Sequence, residues 1–403
     1  MQNEMLKMPI HISSGNKYFS IIKEKIKTYY EELEKLIFLP HLSKYKENIE
    51  QALKVFNINR EKLFKIYQIY FKGNHFEAIK LIKEFVEMNK DELIVPIKHT
   101  YAFKYHFSDF QKKRELTELF LVRGRIVEPY EQLKAQEMCH IPLDKRSQVS
   151  TSRFSIPGIP ALYLSSNTYI VWKELNCPEI DKLTVSYFDL TKLLNKKIIN
   201  ISLLIDCYCD YLSKEDLILQ SEIYDNSETI HIINTIKLIP LVIACSVVCD
   251  DKAKRDFKEE YVIPQLLMQC LDKECIGIVY NSNRIERILA SFTNLVIPII
   301  DFDEDCKYGK ILNNIGVSDS LNVGSFKLFI SDAISKISIN PFAYGPKQYA
   351  DKTFCKDMEE GYMTFNSTRF NITNTYVNTI PYNKTLFYLF EEYLLYLNKN
   401  EPL

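Results

Sequence analysis

Glycine is scarce, with 10 in 403 residues against an ordinary share of about 7%. Phosphate-cradling loops are built from glycines. Neither G-x-G-x-x-G nor G-x-x-x-x-G-K-[ST] occurs in the chain, which argues against a classical dinucleotide-binding fold or a P-loop. Net charge is nearly absent too: 51 Lys+Arg stand against 52 Asp+Glu, a formal −1. Proteins that wrap a polyanion carry a basic excess or stripe, so no nucleic-acid partner is expected. Long hydrophobic runs are missing. The longest uncharged apolar stretch, LIPLVIACSVVC at 238–249, falls well short of the roughly 20 residues a bilayer span needs, so no membrane partner is expected either. The opening MQNEMLKMPIHISSGNKYFS has no apolar segment of signal-peptide length, which predicts a cytoplasmic protein in a reducing compartment.

The 10 cysteines contain no C-x-x-C. The closest pairs are Cys207/Cys209, Cys245/Cys249 and Cys270/Cys275, and none comes with histidines at ligand spacing. Buried thiols acting as small hydrophobes are expected instead of a metal site. With 46% hydrophobic and 26% charged residues, the chain has an ordinary globular composition, and its length predicts two or three domains.

Hydrophobic period divides the chain. In residues 17–39, Ile22, Ile26, Tyr29, Leu33 and Leu36 make one helical stripe, which Pro40 stops. A second stripe runs through Tyr45, Ile49, Leu53 and Phe56, and a third through Leu63, Ile66, Tyr67 and Tyr70 as far as Gly73. Asn74 is placed to cap a fourth, with Ala78, Ile82 and Phe85 inward. Residues 1–110, with 18 Lys+Arg and 14 Asp+Glu, therefore read as a small antiparallel helical module.

Beyond residue 115 the period changes. Strands are predicted over 117–126, 160–166, 182–190, 275–282 and 294–300, and helices over 167–175, with Asn167 as cap, and over 259–273, with Pro264 in the first turn. Short strands mixed with helices, without βαβ regularity, point to an α+β fold. The apolar tail TLFYLFEEYLLYLNK (385–399) predicts a helix that closes a core or an interface. Its polar face is acidic, unlike that of a membrane-surface helix.

Two motifs are decoys, and one signature is missing. DFDEDCKYG (301–309) begins like an EF-hand, but Cys306 stands where the loop needs glycine and Leu312 where it needs a bidentate glutamate. Cys139 and His140 are adjacent, whereas a nucleophile and its base are usually remote in sequence. No arginine in residues 1–110 has a histidine at the R-x4–6-H spacing of helical RNases.

The chemistry-bearing stretch lies between Arg123 and Ser282. It offers Arg123 and Arg125 at a strand end, Arg153 in STSRFSIPG, Tyr163 in an apolar strand, Glu174 on an apolar helix, and Tyr280 and Ser282 at the end of a late strand. Arginines are forks for phosphate oxygens, and aromatics give a face to a planar base. A carboxylate on an apolar helix suits a hydroxyl or an oxocarbenium. The same residues also read as an internal Arg123–Glu174 ion pair and a core tyrosine.

Four blocks in order, LFLVRGR (119–125), STSRFSIPGIPALYLSSN (150–167), WKE (172–174) and YVIPQLLMQC…GIVYNS (261–282), resemble the RES-domain family, named for its Arg, Glu and Ser. The resemblance covers roughly 115–300 and implies an ADP-ribosyltransferase-like mixed sheet with flanking helices. It implies an enzyme that cleaves the nicotinamide–ribose bond of NAD+ by phosphorolysis or hydrolysis, often the toxin of a toxin–antitoxin pair. Carried over, Arg123 binds the dinucleotide phosphates and Arg153 holds phosphate, from NAD+ or as attacking inorganic phosphate. Tyr163 packs near the nicotinamide ribose, Glu174 is the essential carboxylate, and Ser282 is a hydrogen-bond partner in the pocket. Arg125 and Tyr280 are secondary candidates. No prosthetic group and no metal are implied; NAD+ is the substrate, with inorganic phosphate as co-substrate in the phosphorolytic case.

On this reading residues 1–110 form a helical domain, 115–300 the catalytic domain, and 301–403 an extension packing on the core or an interface. A cognate antitoxin or regulatory protein is the expected partner, and the terminal helices offer a route to a homo-oligomer. Two other classes compete: transfer of ADP-ribose to a macromolecule, and a non-enzymatic interaction module built on the helical region.

Overall fold

The computed structural model describes residues 8–12, 18–100, 103, 115–202, 212, 226–249, 257–285, 293–302, 307–336 and 386–400. In chain order the helices are α1 (Tyr18–Glu34), α2 (Lys46–Phe71), α3 (His75–Met88), α4 (Thr168–Glu174), α5 (Asn226–Thr235), α6 (Ile239–Cys245), α7 (Val262–Met268), α8 (Val323–Lys336) and α9 (Leu386–Asn400), alongside single turns and 3-10 segments. The strands are β1 (Ile10–Ile12), β2 (Ile94–Pro96), β3 (Phe120–Ile126), β4 (Ala161–Ser165), β5 (Leu183–Asp189), β6 (Lys197–Asn200), β7 (Val247–Cys249), β8 (Cys275–Asn281), β9 (Thr293–Pro298), β10 (Gly316–Val317) and β11 (Leu321–Asn322). The fold is α+β, with an N-terminal helical region and a C-terminal helix.

The chain makes two compact units. One comprises Met1–Thr117, Ile141–Tyr163 and Leu193–Ile311; the other comprises Glu118–His140, Leu164–Lys192 and Leu312–Leu403.

In the first unit, α1 buries Ile22, Ile26, Tyr29 and Leu33, the stripe expected from its 4-3-4 spacing. The second and third stripes are one 26-residue helix, α2, since nothing between Phe56 and Leu63 breaks it. Asn59 occupies the gap and is fully buried. Its amide donates to Asn89 Oδ1 (2.9 Å) and to the Lys237 carbonyl (2.7 Å), and Asn89 donates back to Asn59 Oδ1 (3.1 Å). A buried amide so satisfied keeps the stripe continuous without an apolar residue. Asn74 caps α3 by accepting from the Glu77 N–H (3.2 Å).

The apolar run at 238–249 folds as α6 followed by β7, which pairs in parallel with β1. Both α5 and α6 pack on α2, and α7 packs on α3. The helices of residues 18–88 therefore share one core with residues 226–268. Inside that core the Tyr18 and Tyr67 hydroxyls bond at 2.8 Å, and burial pushes both phenols above their ordinary pKa. Strand pairing in this unit runs β2–β6 antiparallel, β6–β8 parallel and β8–β9 antiparallel.

In the second unit β3 pairs with β5 over its whole length, from Phe120 opposite Asp189 to Ile126 opposite Leu183. β10 and β11 add to the other side of β5. Asn322 starts α8 by accepting from the Ser325 N–H (3.0 Å) and ties it back by donating to the Asp181 carbonyl (2.7 Å). The predicted tail helix is α9. Its Phe387 ring meets Tyr169 and Trp172 of α4 (centroids 6.0 and 5.7 Å), so it closes a core. No helix among the described residues is long and apolar enough to cross a membrane.

Candidate active site

Arg123, Arg125 and Glu174 lie in the second unit; Arg153, Tyr163, Tyr280 and Ser282 lie in the first.

Arg123 and Arg125 are two apart on β3, so the pleat sends both side chains to one face. They stand opposite Ser186 and Thr184 of β5. Arg125 donates to the Cys139 carbonyl (3.0 Å), and its Nε is buried without a hydrogen-bond partner among the described residues. Burial pushes the Cys139 thiol up, and the positive charges of Arg123 and Arg125 partly offset this. Both guanidiniums are thus close to Cys139.

Gly124 lies between the arginines and turns to the opposite face. A Cβ there would stand 2.3 Å from Val171 Cγ1 of α4. Only glycine lets α4 approach β3 this closely.

α4 carries Glu174 in its last turn. Asn167 caps it, accepting from the Ile170 N–H (3.0 Å), and the Thr168 N–H donates to the Glu391 carboxylate of α9. Asn176 and Cys177 (φ 62° and 54°) then take left-handed backbone. With Cys177 N–H bonded to the Trp172 carbonyl (2.8 Å), they end the helix just past Glu174. Glu174 is half-buried.

In the first unit Arg153 lies over two rings. Its guanidinium carbon is 5.2 Å from the Phe154 centroid and 5.0 Å from that of Tyr280, and those rings pack on each other at 4.3 Å. One edge of the fork donates to the Cys245 carbonyl (3.1 Å). Its remaining N–H groups make no hydrogen bond among the described residues. Tyr163 donates its hydroxyl to the Phe154 carbonyl (2.5 Å), so it supports this cluster from β4.

Tyr280 and Ser282 follow from β8, where Gly277 gives room to the Val296 carbonyl of β9, 2.5 Å from a would-be Cβ. Ser282 is 2% exposed, and its Oγ accepts from the Arg284 N–H (3.2 Å). The structure therefore brings Arg153, Tyr163 and Tyr280 into one cluster, and Arg123 with Arg125 into another.

Sequence reasoning passed over Phe154, Gly124 and the Cys245 carbonyl. Phe154 was signalled by its place beside an isolated arginine. A carbonyl acceptor leaves no sequence signal.

No family model matches the chain, and no solved structure matches it. Among curated proteins, a Bacillus subtilis (strain 168) protein named "Putative toxin YopC" is 27% identical over 308 residues, which is 72% of this chain and 63% of that protein. The chain thus matches rather less than two thirds of that relative's length, and the relationship is to a toxin-like protein.

Proposed function

We propose that this protein cleaves the nicotinamide–ribose bond of NAD+ and acts as a growth-inhibiting toxin, held in check by a cognate antitoxin. The observation that carries the reading is the pose of Arg153: stacked on Phe154 and Tyr280 and fixed at one edge by the Cys245 carbonyl. A guanidinium so held keeps the rest of its fork for an anion, and needs no glycine-rich loop to take up phosphate. Arg123 and Arg125 supply a second pair of forks. The similarity to a protein named as a toxin supports the physiological part.

Nicotinamide leaves as a neutral base from a cationic ring, so its departure needs little acid help. The C1′–N bond breaks with its electron pair going to the ring nitrogen. The oxygen of phosphate or water then forms the new bond to C1′, and in hydrolysis the water's proton passes to solvent. What must be stabilised is the ribosyl oxocarbenium, and Glu174 near the 2′-hydroxyl offsets that charge as carboxylates do in glycoside hydrolysis. Arginine forks holding the diphosphate present the ribose in one pose, where much of the barrier reduction originates. Ser282, just past β8, is the hydrogen-bond partner that the resembled family's serine supplies.

Incubation of the purified protein with NAD+, with and without inorganic phosphate, tests this. Release of nicotinamide only with phosphate assigns phosphorolysis, and release in both assigns hydrolysis. Nicotinamide release only with lysate protein present would favour ADP-ribose transfer, and none under any condition would overturn the reading.

A further inference from the structure

We propose that Gln265 is the positioning residue that sets the pose of Arg153; the inference rests on the reading of Arg153 as a holder of the NAD+ diphosphate. Gln265 lies in α7, whose sequence is VIPQLLM, and it is the one polar residue of that helix. Its Nε2 leaves the apolar face to donate to the Ser152 carbonyl (3.1 Å) and reaches Ser155 Oγ at 3.5 Å. Ser155 closes the turn on itself: its hydroxyl donates to the Ser152 carbonyl (2.9 Å) and accepts from the Ser152 N–H (3.1 Å).

The four-residue turn that carries Arg153 and Phe154 is thus pinned to α7 at both ends. From the other side the Tyr163 hydroxyl holds the Phe154 carbonyl. Between these clamps the backbone of Arg153 and Phe154 has one place to be, and the guanidinium falls over the Tyr280 ring.

An arginine side chain has much rotamer freedom to lose, so a pre-set backbone lowers the cost of ordering it around a ligand. Gln265 acts on the anion through the turn.

The test is a double-mutant cycle read by the affinity of ADP-ribose, which carries the diphosphate without the scissile bond. Gln265→Leu is expected to weaken binding on the order of 10-fold, the scale of two lost hydrogen bonds. Arg153→Ala is expected to weaken it at least as much, and the double variant no more than Arg153→Ala alone. Unchanged affinity in Gln265→Leu while Arg153→Ala weakens binding, or losses that multiply in the double variant, would overturn the proposal.

Hydrogen exchange separates this from the functional reading. Backbone amides of residues 152–155 should exchange faster in Gln265→Leu while those of α1–α3 keep their wild-type rates, and equal exchange in the turn would overturn the clamp whatever ADP-ribose does. If Arg153→Ala binds ADP-ribose as well as wild type while the turn loosens as expected, the functional reading fails and the clamp stands. Should Gln265→Leu not fold, Ser155→Ala opens the same turn from its own side and is expected to give the same two results.

Discussion

Arg153 is held by its face and by one edge, an arrangement that uses a guanidinium's planarity and leaves N–H groups for a ligand. The cysteines show the opposite case, polar groups made inert by burial. The Cys270 and Cys275 thiols are pushed up to about 12, Cys245 is pushed higher still, and Cys139 is raised despite two neighbouring arginines. Cys177 is exposed on left-handed backbone after α4. Because the thiolate is the nucleophile, iodoacetamide at neutral pH should modify Cys177 before Cys139, Cys245, Cys270 or Cys275. Peptide mass spectrometry over a time course checks the order, and early labelling of Cys245 would contradict it.

The contact between α4 and β3 depends on the missing side chain of Gly124. Gly124→Ala forces a methyl to within 2.3 Å of Val171 Cγ1 and should destabilise by about 1–3 kcal/mol, as overpacking does. Val171→Ala in the same chain removes the clashing methyl and should recover part of the loss in urea unfolding; no recovery would mean the strain lies elsewhere. On α2, Asn59→Ala removes the donor to Asn89 Oδ1 and to the Lys237 carbonyl. The expected cost is about 1–3 kcal/mol for buried groups left unpaired, read by the same unfolding measurement.

These elements also mark what the sequence made legible. The stripes of α1 and α3, the caps at Asn74 and Asn167 and the strands β3, β4, β5, β8 and β9 all followed from period and capping chemistry, which are local. The single helix α2 reads as two stripes in the sequence, and only the partners of Asn59, Asn89 just past α3 and the Lys237 carbonyl, show why a polar residue belongs inside it. The three-residue strands β1 and β7 have no period to read and exist through each other. For the candidate site, the arginines, tyrosines and glutamate were visible as residue types. Gln265 carries no sequence signal, because its partners are 110 and 113 positions away.

At the scale of the whole chain, the helices before residue 89 share their core with α5, α6 and α7. Ile22, Ile26, Tyr29, Phe56 and Ile66, all fully buried, lie in the same cluster as Ile233, Leu241 and Leu267. Each buried side chain of this size is worth about 1.5–3 kcal/mol, so losing the helices uncovers far more than the 5–15 kcal/mol of a typical fold. Expressed without residues 1–100, the remainder should aggregate or lack cooperative thermal unfolding in calorimetry. A soluble fragment with a sharp transition would show that those helices are a detachable module.

The proposed cleavage of NAD+ is tested most directly by a single paired assay. Nicotinamide release from NAD+ is measured for wild type and Glu174→Ala, both with and without phosphate, after circular dichroism has matched their folds. Wild type is predicted to release nicotinamide, and Glu174→Ala is predicted to fall by at least 100-fold, about 2.7 kcal/mol of transition-state stabilisation. Equal release by the two proteins, or none by the wild type, would contradict the account.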